Sequence, residues 1–363
     1  MCSKEVALPL IYANARISNV VSLERFQERL YSADQKWDSL RRIPFSTPGR
    51  WVQVLDLSTL TFTGQVQALQ IDTLLTELFP LTPSLTRLSM NPSFVLSRRA
   101  LAALGDRECA AKLCILEGIS YIPARNSQFR SDPLVKLLRS CINLEQLEIL
   151  GQGSDPADLD PISEDVDPSL LDSFAPLDLP RLHTMTLLSM HTSPLLLTLV
   201  LSPLPSVQKV SISPYDDVPY PTGLVTHFIS VHGNKLRSLL LFTPKSWPTR
   251  LHPSPTTLLN MCPRLRHLSL ESPLPKLELS DSHPLQILSI PRPCDDFWRR
   301  FEKLLPHLPH FCMIRMRDVR WLRKGMNPRA QTAGIQGEMQ EWKKRLGRYR
   351  IRLVDTDWNE NRE

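Results

Sequence analysis

Ten times along the chain an apolar residue is followed three places on by a second, and two places later by a third. The frame reads Val52/Leu55/Leu57, Leu85/Leu88/Met90, Ala110/Leu113/Ile115 and Leu144/Leu147/Ile149. It continues as Leu182/Met185/Leu187, Val207/Val210/Ile212, Leu236/Leu239/Leu241, Leu265/Leu268/Leu270, Leu285/Leu288/Ile290 and Phe311/Ile314/Met316. The last two positions, two apart, put their side chains on one face of an extended strand. The residues between and after them, such as His267, Ser269 and Glu271, point to the other face. The first three positions leave room for a turn into the strand.

Successive frames start 33, 25, 34, 38, 25, 29, 29, 20 and 26 residues apart. A leucine-rich repeat runs roughly 20–29 residues, so most intervals fit and three carry insertions. Between the frames, 131–141, 193–201, 223–233, 254–262 and 295–305 are apolar at helical spacing. Most open on Ser, Asp or Gly, residues suited to a helix N-cap. Pro205, Pro263 and Pro309 stop a helix and favour an extended residue before them. Each unit therefore reads strand, turn, helix, return, and is too small to bury its own apolar face, so it must stack on neighbours. The expected fold is an α/β leucine-rich-repeat-like solenoid, a horseshoe of about ten irregular strand-helix repeats with a parallel sheet on its concave face.

The bulk numbers sharpen this picture. A solenoid extends one core over 363 residues without the limit on a single globular core. The 32 prolines against 12 glycines suit a chain punctuated by helix stops. Seven cysteines without CxxC spacing point to reduced thiols and a cytoplasmic or nuclear location. Cys109, Cys114, Cys141 and Cys262 sit in or beside repeats, as small core residues do. The run VALPLIYA near the start is brief, contains Pro9 and follows Lys4 and Glu5, so it does not read as a secretory leader. No segment has the length to span a membrane.

The net charge of +6 is unevenly placed: Arg315 to Arg352 carries twelve Lys or Arg and three Asp or Glu. This basic end includes Arg315, Arg317, Arg320, Arg323, Lys324, Lys343, Lys344, Arg345, Arg348, Arg350 and Arg352. Two readings compete, an electrostatic contact with nucleic acid or an acidic partner and the polar outer face that a terminal repeat presents to water. Glu341 lies four residues before Arg345, as in a helical ion pair, and the cap is favoured. Opposite charge gathers in 151–172, where Asp155, Asp158, Asp160, Glu164, Asp165 and Asp167 stand with three prolines and no basic residue. That composition suits an acidic loop between repeats, and the EF-hand calcium pattern is absent from it.

Catalytic signatures are missing. There is no phosphate-binding glycine loop, no GxSxG and no HExxH. His307, His310 and Cys312 are close together, but no second ligand pair has zinc spacing and Phe311 belongs to the strand frame. The chain is therefore expected to be no enzyme and to use no cofactor or metal. What remains is a surface. The column after each frame includes Leu116, Leu150, Leu188 and Phe242, flanked by Glu148, Lys209, Glu271 and Arg317. These eight residues form the candidate protein-binding stripe on the concave face. The competing reading turns the chain inward after each strand and packs the same leucines beneath the following loop.

Residues 2–30 and the stretch GRWVQVLDLS (49–58) resemble the end of the F-box and the first repeat of fungal F-box/leucine-rich-repeat proteins. Cys2, Pro9, Leu10, Tyr12, Phe26, Leu30, Leu55, Asp56, Leu57 and Ser58 stand at matching places. The resemblance implies a helix, a short strand, a second helix and an "LDLS" first strand. With the F-box remnant that it implies, the expected organisation is 1–48 as F-box remnant and N-terminal cap, 49–317 as the solenoid read from the frames, with the acidic loop 151–172, and 318–363 as the basic C-terminal cap read from the charge. It further implies the substrate-recognition part of an SCF-type ubiquitin ligase receptor. The partner expected is then a protein on the concave face, joined by a Skp-type adaptor where an F-box precedes Met1. A repeat scaffold without a ligase link is the alternative, and a nucleic-acid contact is disfavoured.

Overall fold

The computed structural model describes residues 3–35, 48–122, 132–151, 175–190, 193–214, 224–243, 253–292, 295–321 and 334–360. The acidic residues 155–167, together with Arg323 and Lys324, lie outside the described residues. The chain divides into two compact units, Met1–Val207 and Gln208–Glu363. In the first, six parallel strands follow one another in sequence order: β1 Asn14–Arg16, β2 Val54–Asp56, β3 Arg87–Ser89, β4 Ile115–Tyr121, β5 Gln146–Gly151 and β6 Thr184–Leu188. The second repeats the scheme with β7 Lys209–Ile212, β8 Ser238–Leu241, β9 His267–Ser269, β10 Ile287–Ile290, β11 Met313–Met316 and β12 Arg352–Val354. Each unit is thus an α/β stack of strand-helix repeats, and the ten frames fall on β2 to β11.

Parallel neighbours need a crossover, and short capped helices supply it. Asp132 shows how: its carboxylate accepts from the amides of Leu134 and Val135 at 2.9 and 3.1 Å, and Pro133 opens the helix Pro133–Ser140. Leu134, Val135, Leu137 and Leu138 form that helix's buried side. Ser193 starts Pro194–Leu201 in the same way, its hydroxyl accepting from Leu196. Two further predicted helices are Leu224–His232 and Asp295–Leu304, whereas only Leu258–Met261 of the stretch 254–262 is helical.

Two backbone devices recur from repeat to repeat. The chain enters the strand by a tight turn at the first frame position, with Leu85, Leu144, Leu265 and Phe311 each donating to the carbonyl three residues back. One carbonyl then accepts two successive amides of the next repeat: Gln53 takes Thr86 and Arg87, Thr86 takes Cys114 and Ile115, and Cys114 takes Glu145 and Gln146. In the second unit Gln208, Arg237, Arg266 and Gln286 do the same. This locks the register, so the middle frame residues stack in a continuous row. Leu55, Leu88, Leu116, Leu147 and Met185 form it in one unit, and Val210, Leu239, Leu268, Leu288, Ile314 and Leu353 in the other. All are buried.

The third frame needs correction. The entry turn closes on Leu113, which donates to Ala110, so the repeat starts three residues later than Ala110/Leu113/Ile115. Its middle position is Leu116, paired with Leu88 and Leu147, and an extra residue then shifts the register before Ile119. Gly118 makes this bulge, with φ +67° and a position where a Cβ would stand 2.2 Å from the Met90 carbonyl oxygen.

The two ends also hold more than caps. β1 and β12 extend the sheets beyond the ten frames. Tyr12, Ala15 and Ile17 fit the frame at β1, but alanine at its centre makes a weak signal. At β12 the equivalent positions are Arg350, Leu353 and Asp355, so the pattern is hidden by two polar residues.

Candidate binding surface

Burial alternates along the strands. The frame residues are covered, and the residues between them line an open face on each sheet. In the first unit Arg16, Asp56, Ser89 and Glu117 share one row of the ladder. Arg16 reaches Asp56 at 3.5 Å, while Glu117 accepts from Arg87 and the Ser89 hydroxyl, both at 2.9 Å. Glu148 on β5 is half-buried, and burial together with the charge of Glu117 raises its pKa. The face is self-paired at β1–β4 and acidic at β5.

The sequence-predicted stripe separates here into three fates. Leu116 does not belong to the open face. It is fully buried, because the extra residue at Gly118 moves the repeat by three and makes it a middle frame position. Leu150 and Leu188 are register neighbours, the first partly exposed and the second buried at 6%. Leu188 is covered while still paired within β6. Lys209 is exposed at the start of β7.

Phe242, Glu271 and Arg317 are brought together in the second unit. One Arg317 Nη donates to the carbonyls of Leu241 and Leu270 at 3.2 and 2.9 Å, and the other donates to Glu271 at 2.6 Å. Its guanidinium also lies 5.8 Å from the centre of the Phe242 ring. Both charged side chains are mostly covered, so this pair is a rigid brace across the strand ends and not a loose surface ion pair. Phe242 remains 45% exposed upon it.

A second cluster lies beside the first and was not legible in the frame. Arg315, two residues before Arg317 on β11, stacks on Trp358 with 4.6 Å between guanidinium carbon and ring centre. It also donates to the Thr356 carbonyl. His267 meets the edge of the same ring at 6.0 Å, and its Nε2 lies 2.8 Å from the Ser289 hydroxyl. Burial, aided by the charges of Arg315 and Lys209, pushes the His267 pKa down to about 4, so its imidazole is neutral at pH 7. Trp358 arrives there because Asp355 turns the chain back. The buried Asp355 carboxylate accepts from the amides of Trp321, Asp357 and Asn359. The acidic-turn sequence Asp355-Thr356-Asp357-Trp358-Asn359 is the local signal that could have found it.

The basic end is built into the fold. Trp342 on the helix Gly334–Gly347 packs edge-on against Trp298 at 4.5 Å, and Arg345 pairs with Glu302. Arg320 pairs with Asp357, and Arg292 with Glu338. Lys344, Arg348, Arg350 and Arg352 are exposed. Cys109, Cys141 and Cys262 are buried, and burial pushes the thiol pKa of Cys141 and Cys262 up to about 12. Among the described residues no group of three or more His, Cys, Asp or Glu is placed to hold a metal ion, and no helix is long and apolar enough to cross a membrane. No known family model matches the chain, and no curated protein matches it.

Proposed function

We propose that the chain is a non-catalytic protein-binding repeat module that takes its ligand on the open sheet face of the second unit. The carrying observation is the half-exposed Phe242 ring held on Arg317, beside Arg315, which likewise seats an aromatic ring on its guanidinium. Pre-held aromatic and arginine side chains lose little freedom on binding and are the residues in which interface energy concentrates. The test is a photo-crosslinking side chain placed at Phe242, with Val231 on the exposed side of the helix Leu224–His232 as control. Protein adducts specific to position 242 are expected. The same adducts from both positions, or none from 242, would overturn the reading.

Within that function the chain serves as the substrate-recognition part of an SCF-type ubiquitin ligase receptor. The support is the N-terminal resemblance together with the order of elements: helix Ser3–Ala13, strand Asn14–Arg16, helix Val20–Gln35, then Val54–Asp56. Tyr12 stacks on Phe26 and packs against Trp51, which ties these matching positions to the first repeat. Co-purification of the native gene product with a Skp-type adaptor is expected. A product that carries the repeats and captures no adaptor refutes the ligase role and leaves the scaffold.

A further inference from the structure

Ser289 on the open face of β10 is fully buried, and Ser269 beside it and Ser89 in the first unit are nearly so. His267 on one side and Arg315 on the other complete a floor, and the Trp358 ring rests on it by an arginine face contact and a histidine edge contact. The floor and its surroundings are cationic. Lys209 and Arg315 are near enough to depress the imidazole pKa, Arg317 bears on Arg315, Glu271 is bound by Arg317, and the carboxylates that act on Arg315 are Asp357 and Asp355 of the tail. The segment that covers it is acidic, Asp355-Thr356-Asp357-Trp358-Asn359-Glu360.

The tail backbone is tied on both sides of Trp358: the Trp358 amide donates to the Asp355 carbonyl, the Asp355 amide donates to the Asn359 carbonyl, and Glu360 bridges to Val354. Its root is fixed by the three amides on Asp355 and by the Thr356 hydroxyl, 2.5 Å from the Arg317 carbonyl. The ring itself is 44% exposed, and Trp358 sits at φ +64°, a left-handed backbone that a bulky side chain adopts only under strain. The backbone therefore stays, and the half-exposed ring can leave by rotation of its side chain.

We propose that Trp358 is an internal stand-in for a partner: the floor of Arg315, His267 and Ser289 is a receptor for an acidic peptide bearing a tryptophan, and the tail fills it until such a peptide displaces the ring. This rests on the protein-binding reading above and names its partner class and its regulation. A ligand joined to its own receptor competes at a high effective concentration. The partner's apparent affinity is then reduced by the fraction of molecules in which the ring is seated.

The test uses the full chain and a fluorescent, blocked peptide of residues 355–360, DTDWNE, followed by anisotropy. Trp358→Ala is expected to bind it about ten-fold more tightly than the native chain, the scale of a partly desolvated cation–π contact. Trp358→Ala combined with Arg315→Ala should lose that gain, and the peptide DTDANE should not bind. In Trp358→Ala the His267 imidazole should titrate closer to its ordinary range by NMR, and added DTDWNE should return it to its native position. Circular dichroism and melting establish that each variant is folded. Equal affinity for native and Trp358→Ala chains, or binding to neither, overturns the proposal. So does displacement of the peptide by a thymidine oligonucleotide at matched ionic strength, which would assign the floor to nucleic acid. Crosslinking from Phe242 separates the two readings: if it survives while the peptide fails, the receptor proposal falls and the general binding function stands.

Discussion

Replacing Leu116 by alanine distinguishes a core position from a docking position by magnitude alone. The side chain is fully buried between Leu88 and Leu147, themselves at 0 and 1% exposure, and those walls are locked by the ladder. Shortening it removes three carbon atoms, a transfer loss of about 2.4 kcal/mol at ~0.8 kcal/mol per group. Walls that cannot close leave a residual cavity, and one of about 40 Å³ adds ~1 kcal/mol. Leu116→Ala should therefore cost about 3 kcal/mol, whereas a leucine on a solvated face costs under ~0.5 kcal/mol. Urea unfolding followed by circular dichroism reads the difference, with Leu150→Ala, only partly buried, as the internal comparison. A loss below about 1 kcal/mol, or an equal loss for Leu150→Ala, would refute the shifted third repeat.

Gly118→Ala should cost about 2–3 kcal/mol, because it adds a clash with the Met90 carbonyl to a left-handed backbone. Gly64→Ala, also left-handed but with open space around the Cβ, should cost about 1 kcal/mol, and equal melting shifts would contradict the bulge. Asp355→Ala strands three amides and should cost about 3 kcal/mol while exposing the tail to limited proteolysis; a tail that stays resistant argues against its anchoring role. The depressed pKa of His267 means that the unfolded chain takes up the proton first as pH falls. Stability should therefore be fully present above about pH 6.5 and decline toward pH 4, with His267→Gln flattening that slope in pH-dependent melts. An unchanged slope would exclude the burial assigned to this imidazole.

The fold was readable because its signal is repeated. One frame such as Leu265/Leu268/Leu270 is an ordinary half-buried strand, but ten of them at repeat spacing require stacking. The pattern failed where a residue other than an aliphatic one filled a frame slot. Asp355 occupies the third slot of the last repeat and is tolerated because three backbone amides satisfy it, a compensation that hydrophobic periodicity cannot register. Ile115 looked like a frame residue since the bulge at Gly118 lies downstream of it. In the binding surface, Phe242, Glu271 and Arg317 were legible as one column because register brings that column together. Trp358 was not, since its place over Arg315 and His267 depends on a reversal of the tail and joins positions far apart in sequence.

The carbonyls that each hold two amides of the following repeat give the second unit a mechanical character. A pull on the chain end would load the last ladder alone, and release of one shared acceptor frees a single repeat while the next remains latched. The intervals of 29, 29, 20 and 26 residues between its frames would appear as successive extensions, each on the order of 70–100 Å at the reach of an extended chain. Such a molecule would yield in steps, with the shortest step where the prolines and the braced strand ends crowd between β9 and β10.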